Sequence, residues 1–251
     1  MRVDLNSDLG EGFGAYAITD DAALLDIVSS ANLACGLHAG DPEIMARVFA
    51  LAKQKGVSVG AHPGFPDLWG FGRRRIPFST GEIERLVAYQ VGAAQGLAAY
   101  AGHRVAYVKA HGALSNMAEE SAEVAAAIAR AVKAVDASLP ILAGPLGAQA
   151  EASRAAGLTP IAEIFADRAY TEAGLLVPRG QPGAVITDPD EAAARVVAMV
   201  KAGAIITASG TPLPTEIGSI CVHGDSAHAV ETARRVRRRL EDEGISIVPF
   251  T

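Results

Sequence analysis

The chain is poor in cysteine: Cys35 and Cys221 are the only two among 251 residues, far too few for a disulfide scaffold. Each stands just upstream of a histidine at an expected strand end, and a small buried residue packing beneath a site is a better reading than a redox pair. No apolar run approaches the roughly 18 residues of a membrane span, and the opening MRVDLNSD is charged where a signal peptide would be apolar. Positive charge is also in deficit, and a net charge of −6 gives no electrostatic reason to expect nucleic acid as a partner. The one basic run, RRVRRR from Arg234 to Arg239, is broken by Val236 and followed by Glu241, Asp242 and Glu243, the pattern of a solvated helix face. Low-complexity tracts are missing, since the 26 glycines and 13 prolines are spread along the chain, which argues against linkers and disorder. A soluble, cytoplasmic protein is expected, one domain across residues 1–251, with neither nucleic acid nor membrane as a partner. Some catalytic signatures are absent as well. Without G-x-x-x-x-G-K-[ST] there is no P-loop, without G-x-S-x-G no nucleophile elbow, and without H-E-x-x-H no compact metal motif.

What is present is hydrophobic residue in quantity, half of the chain, in alternating strand and helix patterns. Strands are expected at Arg2–Asn6, in the stretch opening at Val28, and at Val57–Ala61, Val105–Val108, Leu139–Ala143, Ile161–Phe165 and Ser219–Val222. Between them, Ile44, Val48, Leu51 and Ala52 fall at helical spacing over Pro42–Lys55, with Gly56 as the stop. Ser79-Thr80-Gly81-Glu82 has the spacing of a capping box and starts a helix to about Tyr100. Further helices are expected around Asp20–Asp26, Ser121–Val135 and Leu146–Ala156, from an Asp188 cap to Lys201, and over Ser226–Glu243 with Val230, Ala233, Val236 and Leu240 inward. Ala204–Glu216 reads as a short excursion or hairpin, and Ile245–Phe250 as an extended tail. Strands that alternate with helices in this way predict parallel βαβ units with right-handed crossovers. Polar residues at every strand end favour a closed or nearly closed barrel, because they then converge on one mouth.

The strand ends carry the chemistry. VSSANLACGLHAGD, from Val28 to Asp41, breaks into small residues that present His38 and Asp41, and His62, His111 and His223 likewise stand beside Gly or Pro just after expected strands. Any one of them could be a satisfied core histidine. Four on one rim are hard to explain by packing and point to a shared site. His103 and His228, in a turn and a helix, are read as structural. The first strand runs into an acidic, glycine-rich segment holding Asp4, Asn6, Asp8 and Glu11, which is either a solvated turn or a ligand and general-base cluster. With Asp41, Glu163, Asp167 and Asp225 it supplies the carboxylates of a pocket that suits a divalent metal or metal-free acid/base chemistry. The loop from His62 to Arg75, rich in Pro, Gly and aromatics, resembles a lid or pocket wall. Its arginines suit a carboxylate or phosphate, with Arg75 read as a surface ion pair.

The blocks DLNSDLGEG (4–12), SANLACGLHAGD (30–41), GAHPGFPDLWGFGRR (60–74), VKAHGALSN (108–116), EIFADRAY (163–170) and CVHGD (221–225) together resemble the LamB/YcsF family, which supplies the A component of 5-oxoprolinases. They span nearly the whole chain in family order. Ala110 stands where the family usually has Pro and Ser115 where it usually has Tyr, whereas Lys109, His111, Gly112 and Asn116 follow the pattern. The resemblance implies a distorted seven-stranded parallel (β/α) barrel of the glycoside hydrolase/deacetylase type. It also implies ATP-dependent opening of 5-oxo-L-proline to L-glutamate together with partner subunits B and C, with Mg²⁺ accompanying ATP. A divalent metal on this chain and a homo-oligomer are left open. On this reading Asp8 or Asp41 works with His38 or His62 to deprotonate the attacking water, and Lys109 and His111 stabilise oxyanion or phosphate charge. Arg73 or Arg179 holds the substrate carboxylate, and Asn6, Glu11, Asn32, Arg74, Glu163, His223 and Asp225 complete the substrate-binding set. Two other readings keep the fold and change the role: a stand-alone metal-dependent amide or ester hydrolase of deacetylase type, or a non-catalytic substrate-binding protein.

Overall fold

The first strand is longer than its sequence suggests. In the computed structural model, which describes residues 1–225 and 228–250, β1 spans Arg2–Leu9 and absorbs most of the segment expected to be an acidic loop. Side chains alternate between the faces of a strand. Val3, Leu5 and Leu9 therefore join the apolar layer outside the sheet, while Asp4, Asn6 and Asp8 are buried on the opposite face. Residues that in one dimension read equally as a solvated turn or as a ligand cluster are the lining of a barrel.

The next strands are β2 (Ser30–Ala34), β3 (Ser58–His62), β4 (Tyr107–Val108), β5 (Ile141–Ala143) and β6 (Pro160–Phe165). The expected excursion is an antiparallel hairpin of β7 (Ala204–Ile206) and β8 (Pro212–Pro214), and β9 (Ser219–Val222) follows it. β9 pairs in parallel with both β6 and β1, and β1 with β2, so seven strands close on themselves. The tail is not merely extended. Its β10 (Ser246–Ile247) pairs with the start of β1, and the Phe250 ring packs 5.0 Å from that of Tyr107, near the amino ends of the strands.

Outside the ring lie α1 (Asp21–Leu25), α2 (Pro42–Lys55), α3 (Thr80–Tyr100), α4 (Gly112–Glu120), α5 (Ala122–Val135), α6 (Ala148–Ala155), α7 (Pro189–Ala202) and α8 (Ala229–Asp242). Their ends follow local chemistry. The Ser79/Glu82 capping box of α3 is formed in both directions, and α2 stops on Gly56 at φ 70°. One helix, α4, is not expected from sequence, where residues 112–116 read as a strand-end segment. Its buried residues are Ala113, Leu114 and Ala118, and two alanines and one leucine make a weak periodic signal. The expected start of the last helix at Ser226 lies outside the described residues. Within α8, Ala233, Val236 and Leu240 are buried, and the basic face is solvated and paired, Arg235 with Asp190 at 3.0 Å and Arg237 with Glu241 at 2.9 Å. Among the described residues no helix is long and apolar enough to cross a membrane.

Candidate active site

The barrel interior is polar and layered. At the bottom the Asp4 carboxylate accepts hydrogen bonds from Ser29 at 2.7 Å, Ser30 at 2.6 Å and Ser219. Burial still pushes this carboxyl above its ordinary value, against the pull of those hydroxyls. One layer higher, the Asn6 amide donates to Glu163 at 2.9 Å and to Ser219 at 2.8 Å, and Asn32 donates to Asn6 at 2.6 Å and to Asp8 at 2.8 Å. The Tyr107 hydroxyl completes the layer by donating to the Asn32 oxygen at 2.8 Å. Asn6 and Asn32, expected at the substrate, are thus committed to holding Asp8 and Glu163 in place.

Lys109 sits on top of this network. Its Nζ lies 3.0 Å from Glu163, 3.2 Å from Asp8 and 3.1 Å from the Cys221 sulfur. Burial alone would drive the ammonium toward neutrality, but Asp8 and Glu163 outweigh it and hold the group well above the usual lysine value. The converse holds for Asp8. Burial raises its carboxyl, Lys109 and His62 outweigh that, and it stays well below the usual carboxylate range. Burial keeps the Cys221 thiol far above its ordinary value, so the sulfur is an uncharged neighbour.

Three histidines form the adjoining wall. His62 ends β3, with Nδ1 2.7 Å from the Lys109 carbonyl and Nε2 3.0 Å from His111 Nδ1. His111 in turn places Nε2 2.8 Å from the Phe71 carbonyl, and His38 stacks on its ring at 3.7 Å and 3°. Glycines make this packing feasible. A Cβ on Gly64 would lie 2.5 Å from His38 Nδ1, and one on Gly72, at φ 62°, would lie 2.7 Å from His38 Cβ. Behind the rings is Glu11, only 1% exposed, its Oε1 3.5 Å from both His38 Nε2 and His111 Nδ1. Burial, then the nearby Asp8 and Asp225, raises the Glu11 carboxyl well above its ordinary value. Burial and the neighbouring rings push His38 and His111 down, so both are held neutral.

The opposite wall comes from the segment after β6 and from the end of β9. His223 Nδ1 meets both Asp167 oxygens, at 2.8 and 2.9 Å, and its ring stacks on Phe165 at 5.2 Å and 20°. Burial raises the Asp167 carboxyl, and the His223 contact outweighs it, leaving it below the ordinary range. Arg168 is turned into the loop, where it donates to the carbonyls of Ala184 at 3.2 Å and Val177 at 2.6 Å. Between the walls lies a cavity of about 360 Å³.

Of the residues expected from sequence, Asp8, His62, Arg73, Lys109, His111, Glu163, Arg179 and His223 line this cavity. Glu11 and His38 stand behind its wall, in contact with His111. Asp225 is held by Arg73 at 2.8 Å. Two expectations need correction. The Asp41 carboxylate caps α2, accepting from the backbone of Glu43 and Ile44 at 2.9 Å each and of Gly14 at 2.8 Å, so both oxygens are engaged by the backbone, and the residue does not line the cavity. Arg74 forms an ion pair with Asp67 and is turned away from the cavity, its side chain 65% exposed. Arg75 pairs with Glu120 as expected, at 2.6 Å, and also borders the cavity mouth.

Tyr107 and Glu119 were not expected from sequence. Alternation along β4 carried the signal for Tyr107, since residues 107 and 109 share a face. Glu119 lies on the unanticipated α4, accepts from the Gly144 N–H at 2.9 Å, and is pushed by burial up to about 7. Ala110 and Ser115, the two departures from the family pattern, both belong to the cavity wall.

Comparison with known proteins adds a separate finding. The LamB/YcsF family model matches residues 3–251. A protein of Azorhizobium caulinodans named as the A component of 5-oxoprolinase is 72% identical over 248 residues, covering 99% of this chain and 98% of that protein. The crystal structure of a lactam utilization protein from Thermus thermophilus is 45% identical, with a TM-score of 0.94 and all of both chains covered. The catalytic domain of a peptidoglycan N-acetylglucosamine deacetylase from Eubacterium rectale shares the fold, at 10% identity and a TM-score of 0.54, over 99% of this chain and 88% of that one.

Proposed function

The chain belongs to the LamB/YcsF family, and from that premise we propose that it is the A component of a multi-subunit 5-oxoprolinase, hydrolysing 5-oxo-L-proline to L-glutamate at the expense of ATP. The observation that carries the chemistry is the meeting, on one cavity of about 360 Å³, of a buried ammonium at Lys109 with the His223 imidazole, whose Nδ1 is held by Asp167. A five-membered lactam is a poor electrophile. Transfer of a phosphoryl group from ATP, with Mg²⁺, to its carbonyl oxygen would make the ring carbon open to water, and partner subunits B and C are the source of that step in this reading. The chain itself carries no P-loop pattern.

With Nδ1 committed to Asp167, His223 takes the proton of the attacking water on Nε2 and later returns it to the ring nitrogen as the C–N bond breaks, the double role expected of a positioned imidazole. A second water then releases phosphate and leaves glutamate. Lys109 is preorganised to stabilise the oxygen charge that develops at the ring carbon. Arg73 and Arg179 are suited to the carboxylate and phosphoryl oxygens, because each guanidinium can bind two of them at once. Asp8 and His62 hold Lys109 and the floor rather than acting as the first base.

The test is glutamate formation from 5-oxoproline by the purified chain alone and with its partner subunits, each with and without ATP and Mg²⁺. Turnover is expected only in the full mixture. ATP-independent turnover by the chain alone would overturn the proposal in favour of a stand-alone hydrolase, and full turnover by His223→Asn in the complex would remove the base from its assigned place.

A further inference from the structure

Two clusters at the cavity gather enough donor atoms for a cation: Asp8, Cys221 and His223 in one, Glu11, His38, His62 and His111 in the other, the donors of each lying within 4.8 Å of one another. They differ in what already fills them. The first surrounds an ammonium, for Lys109 Nζ is 3.2 Å from Asp8 and 3.1 Å from Cys221. Among the described residues, no lysine or arginine reaches the Glu11 carboxylate within 4.0 Å, and Glu11 Oε1 and both ring nitrogens of His38 are buried without a hydrogen-bond partner.

Proton accounting sharpens the contrast. A carbonyl oxygen only accepts, so His62 must carry its proton on Nδ1 to meet Lys109 O at 2.7 Å, and His111 must carry its proton on Nε2 to meet Phe71 O at 2.8 Å. The two nitrogens left over, His62 Nε2 and His111 Nδ1, then face each other at 3.0 Å with lone pairs on both. Such a contact is repulsive unless a positive species lies between them. The Glu11 oxygen stands 3.5 Å from the same His111 nitrogen, and Asp8 Oδ1 stands 3.5 Å from His62 Nε2 but is already paired with the Lys109 ammonium at 3.2 Å. Bonds of about 2.0–2.1 Å to a tetrahedral zinc ion correspond to spacings of about 3.3 Å between ligand atoms; the separations of 3.0 and 3.5 Å to His111 bracket that value, and the third edge, Glu11 to His62, is longer, within 4.8 Å, and closes as the ion binds.

We infer that Glu11, His62 and His111 form a binding site for a divalent transition-metal ion of the zinc type. Imidazole nitrogens with one carboxylate suit such an ion, whereas magnesium or calcium would call for an all-oxygen set. His38 is a positioning residue in this assignment. Its ring lies parallel to that of His111, so the two cannot both aim in-plane lone pairs at one ion, but its Nε2 is 3.5 Å from the Glu11 oxygen and can orient it. The site is independent of the reaction proposed above and can fail without touching it.

The experiment is metal binding by the full chain, stripped with a chelator and then titrated with Zn²⁺ and with Co²⁺, followed by X-ray absorption at the metal edge. One equivalent should bind, with a visible Co²⁺ spectrum and only nitrogen and oxygen neighbours at about 2.0–2.1 Å. Glu11→Gln and His111→Asn should each weaken binding by at least about 100-fold and His38→Asn by about 10-fold, while Cys221→Ser leaves it unchanged. Absence of stoichiometric binding by the folded wild-type chain would overturn the site and leave a shared proton between His62 and His111. Sulfur at about 2.3 Å would also overturn it, by moving the ion to Cys221. Should the variants fail to fold, the wild-type titration and its scattering shells decide.

Discussion

The two walls of the cavity are built to different standards. The wall from β2, β3 and β4 is rigid: His38, His62 and His111 are each at most 3% exposed, locked by backbone carbonyls and by glycines that leave no slack. The wall formed after β6 and β9 is looser, with Arg179 on an exposed stretch; Arg73, which reaches over from the loop after β3, is held by Asp225 and by the face of Phe71. Rigid elements hold atoms to the tolerance that chemistry needs, whereas loops suit recognition of substrate. Lys109 belongs to both, since its carbonyl orients His62 and its ammonium reaches Glu163 on the other side. Both walls are most vulnerable at this residue. Lys109→Met is expected to abolish turnover, by about 10³-fold or more, and to destabilise the fold by about 3–5 kcal/mol, because Asp8 and Glu163 lose their buried counter-ion. Steady-state kinetics and denaturant unfolding of the variant measure both. A stable, active protein would mean that the walls do not meet through this residue.

On the looser wall the expected effect is smaller and of another kind. Arg179→Ala should raise KM for the lactam by about 10-fold to 100-fold with kcat changed by no more than about threefold, the signature of lost binding rather than lost chemistry. A fall in kcat with KM unchanged would assign Arg179 to the chemistry instead.

The walls also differ in how far they could be read from sequence. Strand-end histidines beside glycine betray the rigid wall, because the reason for the pattern is local: a backbone that must pass close to an imidazole cannot carry a side chain. Barrel closure was legible from the alternation of strands and helices. The polar floor was not. Asp4, Asn6 and Asp8 fall where a strand expected over Arg2–Asn6 runs into a segment readable as a solvated turn or as a ligand cluster, and the choice waits on β1 continuing to Leu9 and pairing with β2 and β9, a pairing that joins residues more than 200 positions apart. Whether a given polar group is available for chemistry was not legible either. Asn32 is consumed by Asn6 and Asp8, and Arg74 by Asp67, partners that only the fold supplies.

A third test sits where α4 meets the cavity. Burial raises the Glu119 carboxyl to about 7 in the folded chain, against an ordinary value of 4.5. In the unfolded chain the group ionises first, so between those values the folded state binds more protons and stability falls as pH rises. The full effect, about 3 kcal/mol at 1.36 kcal/mol per pH unit, is reached above pH 7 and is absent below about pH 4. Glu119→Gln should remove this dependence, so that the variant gains on the wild type from pH 5 to pH 8 in urea unfolding. Parallel curves would show that the carboxyl is ionised, and solvated, in the folded protein.

The smallest effect is expected at Asp41, where sequence and structure disagree most plainly about role. A catalytic base at this position would cost orders of magnitude in turnover when removed. A helix cap costs only stability, about 1 kcal/mol for an aspartate replaced by alanine. Asp41 accepts from three backbone N–H groups, one of them on Gly14 in the loop that follows Glu11, so Asp41→Ala should lower the unfolding midpoint modestly and leave kcat within about twofold. Asp41→Asn, which keeps an accepting oxygen, should recover most of the stability. If the alanine variant were instead stable and inactive, the carboxylate would have to reach the cavity in a conformation other than the capped one, and the rigid wall would extend further along β2 than its histidines indicate.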